Sequence, residues 1–373
     1  MTADQEFFRA TTEKFLRGRV PADEIRRLRD DPTGFDPGYW RAGADLGWTS
    51  LLVAEAAGGG TLSGNPLADF ALVAFEFGRH AAPGPLIPAN IVAAALSDTG
   101  SHPEVLAELI SGTAIATWCH AAAGRGPAFD AVDVEIREAG ADLVLAGSSR
   151  PVEYAGAADH LLVTGYTDGA LTQVLLPAAT PGVTIEPLSS VDLTRRFGAV
   201  TFADVRVPRA ALVGGCGAAA PQVTAQLEVA LVAQCAEAVG AMQAGFDITV
   251  RWAADRYSFG RPLASYQALK HRFADMKSWL EAAHAIAEAA ASAVDANAPD
   301  AAELVEVAKA YIGQHSVELL QECVQLHGGI GLTFEHDLHL FLRRAAVGRA
   351  RYGTPAEHRQ RIAARLIDRE AAL

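Results

Sequence analysis

The chain has 373 residues, 50% of them hydrophobic and 20% charged, with a formal net charge of −13 at pH 7. That length allows two or three domains, or one multilayered unit with a large core. The acidic balance disfavours non-specific nucleic-acid binding, because the long-range field repels phosphate.

An anionic cofactor would therefore have to be held by locally placed arginines or backbone N–H groups. No uncharged apolar run reaches the roughly eighteen residues of a membrane span. The opening MTADQEFFRA carries early acids and no apolar core of a secretory signal, so a cytoplasmic protein is expected. Cys119, Cys216, Cys235 and Cys323 are far apart with no CxxC pair, which predicts reduced thiols and no metal site.

Residues 1–112 read as a helical domain. Amphipathic stretches at Gln5–Arg17 and Leu67–Arg79 are separated by turn clusters at Asp31–Gly38 and Gly58–Asn65. Residues 113–219 change texture. Short aliphatic runs at Asp142–Ala146, Leu161–Thr164, Gln173–Leu176 and Ala199–Phe202 lie between Gly, Pro and Asp turns, which predicts a small antiparallel β domain. Residues 220–373 are Ala-rich, with helical periodicity over 223–256, 263–296, 300–327, 334–349 and 355–370, as in a helical bundle. The fold class expected is α+β: helices, a compact β barrel or sandwich, then a bundle.

Two motifs in the third zone bear on chemistry. Arg256-Tyr257-Ser258-Phe259-Gly260-Arg261-Pro262 follows one long helical pattern. An Arg beside a Ser offers a bidentate fork and a hydroxyl to phosphate oxygens. Farther on, Gln325-Leu326-His327-Gly328-Gly329-Ile330-Gly331 follows another helix. Glycines there expose backbone N–H groups to close approach by a pyrophosphate. Each motif alone has an ordinary reading, since Gly commonly ends helices and Arg commonly faces water near a helix end.

In this order and at this separation, the two motifs resemble the R-x-[ST]-F-G and Q-x-x-G-G-x-G pattern of the acyl-CoA dehydrogenase family. The likeness extends along nearly the whole chain. Asp45-Leu46-Gly47-Trp48, Val53-Ala54-Glu55 and Gly58-Gly59-Gly60 look like the family's N-terminal segment, with Ala54 where Pro is usual. Ala203-Asp204-Val205-Arg206-Val207-Pro208 looks like the strand closing its β domain, and Glu335-His336-Asp337-Leu338-His339 like actinobacterial members acting on steroid side chains. The resemblance implies FAD as cofactor, a CoA thioester as substrate and an electron-transfer flavoprotein as acceptor. It also implies that Arg256, Ser258, Phe259, Gln325, Gly328 and Gly329 reach across a subunit interface to the adenosine-diphosphate half of a neighbour's FAD.

Family chemistry removes a proton α to the thioester while hydride leaves the β carbon, so the indispensable side chain is a carboxylate base. At the usual position, before Gly353-Thr354, this chain has Tyr352. At the alternative position, on the helix before the Arg motif, it has Ala230. Glu228 lies about 200° around the helix from Ala230, whereas Glu237 returns to nearly the same face about 10 Å along the axis. The flavin-facing stretch is altered too. Cys119-His120-Ala121-Ala122-Ala123-Gly124-Arg125-Gly126 replaces a polar loop, and Val152-Glu153-Tyr154 stands where the family has a Trp, with no Trp within reach in sequence. His120 reads as structural.

The expected assembly is α2β2. This chain would lack a catalytic residue of its own and complete the FAD site of a second acyl-CoA dehydrogenase-like subunit bearing the Glu. The alternatives are a self-sufficient homomeric enzyme with a relocated base such as Glu237, and a non-catalytic scaffold on the same fold.

Overall fold

In the computed structural model, residues 1–122 and 131–371 are described. Six α-helices come first: α1 (Ala3–Arg19), α2 (Ala22–Arg27), α3 (Pro37–Asp45), α4 (Pro66–Arg79), α5 (Leu86–Thr99) and α6 (Pro103–Ile110). Their starts follow local chemistry. Thr2 and Gln5 form a capping box on α1, and Asp36 caps α3 ahead of Pro37. Trp48, fully buried, meets Phe15, Tyr39 and Phe77 edge-on, at centroid distances of 5.4, 5.9 and 5.0 Å. This aromatic cluster anchors the N-terminal helices.

Seven strands follow: β1 (Ala116–Cys119), β2 (Asp133–Ala139), β3 (Asp142–Glu153), β4 (His160–Thr167), β5 (Ala170–Pro177), β6 (Val183–Leu188) and β7 (Phe197–Pro208). They form one sheet in the order β1-β4-β2-β3-β7-β6, with β5 on β4. The sheet is mixed, which corrects the expectation of a purely antiparallel one: β1 and β2 both pair with β4 in parallel. Parallel pairing needs a long connection. It arises here because β1 is separated from β4 by the whole β2–β3 hairpin.

The remaining helices are α7 (Ala220–Asp255), α8 (Gln267–Asp295), α9 (Ala301–His327), α10 (Leu338–Ala350) and α11 (Pro355–Ala371). α8 starts at Gln267 and not at 263, because a hairpin of β8 (Tyr257–Ser258) and β9 (Arg261–Pro262) and a short turn at Leu263–Ser265 come first. α7 is apolar and long enough to cross a membrane, but 78% of its apolar window is buried against neighbours, as suits a core helix. It packs very closely on α4. A Cβ at Gly240 would lie 1.9 Å from the Phe75 carbonyl oxygen, and one at Gly78 would lie 1.8 Å from that of Glu237. These two glycines let the helix backbones touch and fix the N-terminal helices on the bundle.

Candidate active site and cofactor surface

A cavity of about 570 Å³ lies between the sheet and α10. Trp118, His120, Arg150 and Phe197 line the sheet side, and Ala346, Val347, Arg351 and Tyr352 the helical wall. No Asp or Glu occurs among the described residues that line it. Trp118 comes from β1, stacks on His120 at 4.4 Å and 17°, and donates from Nε1 to Thr164 Oγ1 at 2.9 Å. Trp118 is far from Val152–Tyr154 in sequence, beyond the reach of a local reading. The parallel β1–β4 pairing carries Trp118 there, and no local sequence signal reveals such pairing. Of the altered loop, Ala123, Gly124, Arg125 and Gly126 lie outside the described residues.

Val152, Glu153 and Tyr154, at the family's Trp position, are all buried and do not line the cavity. Tyr154 instead ties the sheet to the first helices. Its hydroxyl donates to the Thr194 carbonyl at 2.9 Å and accepts from the Gly84 N–H at 2.7 Å.

Tyr352 does line the cavity, at a left-handed φ of 53° just ahead of Gly353 at 98°. Its hydroxyl accepts from Arg351 Nη2 at 2.8 Å, and burial raises its pKa above the ordinary value of 10. A phenol so placed is ionised even less near neutral pH, and only its phenolate could take up a proton. Ala230 is fully buried in α7 and is absent from the cavity wall. Glu228 lines a separate crevice with Arg361 and Arg365, and burial pushes its carboxyl up.

Glu237 is buried and does not reach the cavity. Its carboxylate lies between two guanidinium groups: Arg195 Nη2 bonds Oε2, and Arg344 Nη1 stands 3.1 Å from Oε1. The same lattice continues outward. Arg195 Nη1 lies 3.0 Å from Glu153, Arg351 bonds Glu153, and Asp192 sits 3.7 Å from both Arg195 and Arg344. Three arginines thus balance three acids from β3, the β6–β7 connection, α7, α10 and the loop after α10. Burial pushes the Glu153 carboxyl up, but Arg195, Arg351 and Arg344 together outweigh it and hold the group below the usual carboxylate range. The Glu237 candidate is a structural ion-pair acid in this geometry. Arg195, Arg344 and Arg351 are missed by sequence reasoning, since nothing local marks an Arg as buried.

Behind the cavity wall, α9 grips the loop. Lys309, buried, donates to Gln234 and to the Gly348 carbonyl at 2.6 Å, and burial lowers its pKa to about 7. His358 meets the Tyr352 carbonyl at 2.8 Å through Nε2 and Glu306 through Nδ1.

The second feature is at one end of the bundle. α7 and α9 run in the same direction, so Arg256 and Gly328 emerge side by side. Arg256, Gln325, Gly328 and Gly329 are exposed, and Ser258 is half-buried. Arg256 makes no ion pair among the described residues and lies 5.8 Å from the Trp252 ring, over its face. Phe259, 97% exposed, tops the β8–β9 hairpin at a φ of 51°. Gly328 leaves α9 at φ 65°, ψ −143°, a conformation that only glycine adopts readily. A Cβ at Gly328 or Gly329 would meet nothing within 4 Å. The helix end is thus a glycine-dependent C-cap and an open, side-chain-free backbone surface at once. A diphosphate fits this combination of free guanidinium and bare backbone.

Comparison with known proteins agrees with this architecture. Residues 2–113 match the N-terminal domain of acyl-CoA dehydrogenases, and residues 220–367 match the C-terminal domain. The chain is 28% identical over 368 residues to acyl-CoA dehydrogenase IpdE2 of Mycolicibacterium smegmatis, covering 98% of this chain and 100% of that protein. It is 28% identical to IpdE2 of Mycobacterium tuberculosis over 92% of this chain and 91% of the relative. Among solved structures, a variant of the Tcur3481-Tcur3483 steroid ACAD superposes with a TM-score of 0.89 at 24% identity, covering 99% of both chains. The chain belongs to the acyl-CoA dehydrogenase family, whose members are FAD-dependent oxidoreductases.

Proposed function

We propose that this chain is the base-lacking subunit of a cytoplasmic heteromeric acyl-CoA dehydrogenase, with domains at 1–112, 113–219 and 220–373. It completes the FAD site of an unlike subunit that bears the catalytic Glu, in an α2β2 assembly. FAD, when bound, supplies the hydride acceptor. The substrate is a CoA thioester, with a steroid-derived acyl group favoured by the Glu335–His339 stretch and by the likeness to a steroid ACAD. An electron-transfer flavoprotein is the acceptor.

The observation that carries this reading is the contrast between the two sites. The cavity presents Tyr352 where a base belongs and no carboxylate among its described lining, while the outward end keeps Arg256, Ser258, Phe259, Gln325, Gly328 and Gly329 unencumbered. Arg256 offers the fork for the diphosphate, Gly328 and Gly329 the N–H surface, and Phe259 an apolar cover. Exposed Tyr257, Phe259, Ile330 and Leu332 beside this site suit burial against another subunit. The homomeric alternative needs a base, and Glu237 is committed to Arg195 and Arg344. The scaffold alternative leaves the intact diphosphate motifs without a use.

The test is co-expression with a family member that carries a Glu at either base position. A yellow complex in which both chains co-purify is expected. Arg256→Ala should then weaken flavin retention by roughly ten- to a hundredfold, because charge-assisted hydrogen bonds contribute about 1.5–3 kcal/mol. Arg256→Lys should recover part of it, restoring charge without the fork. A stable homotetramer of this chain with one flavin per protomer would overturn the heteromer. Unchanged flavin content in Arg256→Ala would overturn the donated site.

A further inference from the structure

The two diphosphate-binding motifs are far apart in sequence, and nothing in either fixes its distance from the other. The structure joins them through one aromatic pair. Trp252 stands one helical turn before Arg256, and His327 directly precedes Gly328. Their rings stack at 5.1 Å with planes 19° apart. Arg256 lies over the other element of that pair, its guanidinium carbon 5.8 Å from the Trp252 ring.

His327 is held in turn. A carbonyl only accepts, so the 2.8 Å contact to the Cys323 carbonyl assigns the proton to Nδ1. His327 Nε2 has no hydrogen-bond partner among the described residues, and the ring is 5% exposed. His336 closes the far side of the ring edge-on at 4.6 Å and 62°. The hydrogen bond to Cys323 lies within α9 itself, four residues back, so it orients the ring without linking the helices. The face-to-face contact with Trp252 links α9 to α7 at the last turn of each helix.

We infer that His327 is a positioning residue for the flavin diphosphate surface, locking the Gly328-Gly329 backbone to the Arg256 guanidinium through its stack on Trp252. This rests on the reading that the surface takes the adenosine-diphosphate half of FAD. The role belongs to the flat ring. His327 acts through Trp252 and Gly328.

The experiment measures FAD affinity, by titrating FAD into the deflavinated protein in whichever assembly it purifies, with flavin fluorescence as the readout. His327→Leu keeps apolar volume but removes the planar face, and His327→Phe keeps the face but loses the Nδ1 donor. Arg256→Ala serves as the control, and thermal melts of the apoproteins report folding. His327→Leu should weaken FAD binding about three- to tenfold, as expected for loss of an aromatic pair. His327→Phe should stay within about twofold of the parent. If Arg256→Ala loses FAD affinity while His327→Leu keeps it, the inference is overturned and the donated site stands. Equal losses in His327→Phe and His327→Leu also overturn it, since the ring face then contributes nothing. If Arg256→Ala itself binds FAD normally, the underlying reading of the surface fails first.

Discussion

Glu237→Gln separates an ion-pair acid from a relocated base. In the native lattice Glu153, Asp192 and Glu237 offset Arg195, Arg344 and Arg351, and all but Arg351 are at most 5% exposed. Replacing Glu237 by the neutral amide leaves three guanidinium groups facing two carboxylates. Arg344 keeps its bonds to the Phe77 and Ala82 carbonyls and to Thr194 Oγ1, at 2.8, 2.6 and 2.8 Å, so the local geometry survives. The lost charge compensation is the dominant effect, and breaking a buried pair from one side costs about 3–5 kcal/mol. Gln can still accept one N–H, which places the expected loss near the lower end, about 3 kcal/mol. The assay is urea denaturation of the purified complex, with turnover measured per folded active complex at low temperature. Stability should fall by that amount while turnover stays within a few fold. If stability changes by less than about 1 kcal/mol and turnover drops by the 10²–10⁴-fold typical of a lost general base, Glu237 is catalytic and the lattice has been misread.

Tyr352→Phe should leave turnover of the complex within a few fold, because the hydroxyl accepts from Arg351 and serves as no base; a hundredfold loss measured by steady-state kinetics would refute this. Glu76 is fully buried, with neither oxygen hydrogen-bonded, and burial raises its pKa from 4.5 to about 7. The folded state then holds the proton more tightly, so stability is lost as pH rises from about 4.5 to 7, by about 3 kcal/mol; Glu76→Gln should flatten that part of the pH–stability curve. Lys309 has the opposite sign: its folded pKa of about 7 lies below the ordinary 10.5, so its contribution makes stability rise with pH across that window. Lys309→Met should remove the rise, and an unchanged slope in denaturation series from pH 7 to 10 would show that Lys309 is charged in the folded protein.

The sequence by itself carried the helices and the outer motif. Periodicity over 300–327 and 355–370 lands within a residue or two of α9 and α11, because a helix buries one face and the apolar spacing records it. The motif residues were equally legible, since a bare Gly-Gly backbone and an Arg-Ser pair are local chemistry. The Tyr352 substitution was readable as well, being a change of residue type at a fixed position.

Tertiary structure alone decided what those residues face. Sequence distance cannot show that β1 pairs in parallel with β4 and so brings Trp118 to the cavity, because strand partners are chosen by packing across the sheet. Nor can helical phase show that Glu237 meets Arg195 and Arg344. Phase gives the direction of a side chain on its own helix, whereas its partners come from the β6–β7 connection and α10, more than forty residues away in either direction. The same limit hid the Trp252–His327 stack. Long-range charge and ring pairs are settled by how the layers dock, and their docking is a property of the whole core rather than of any one segment.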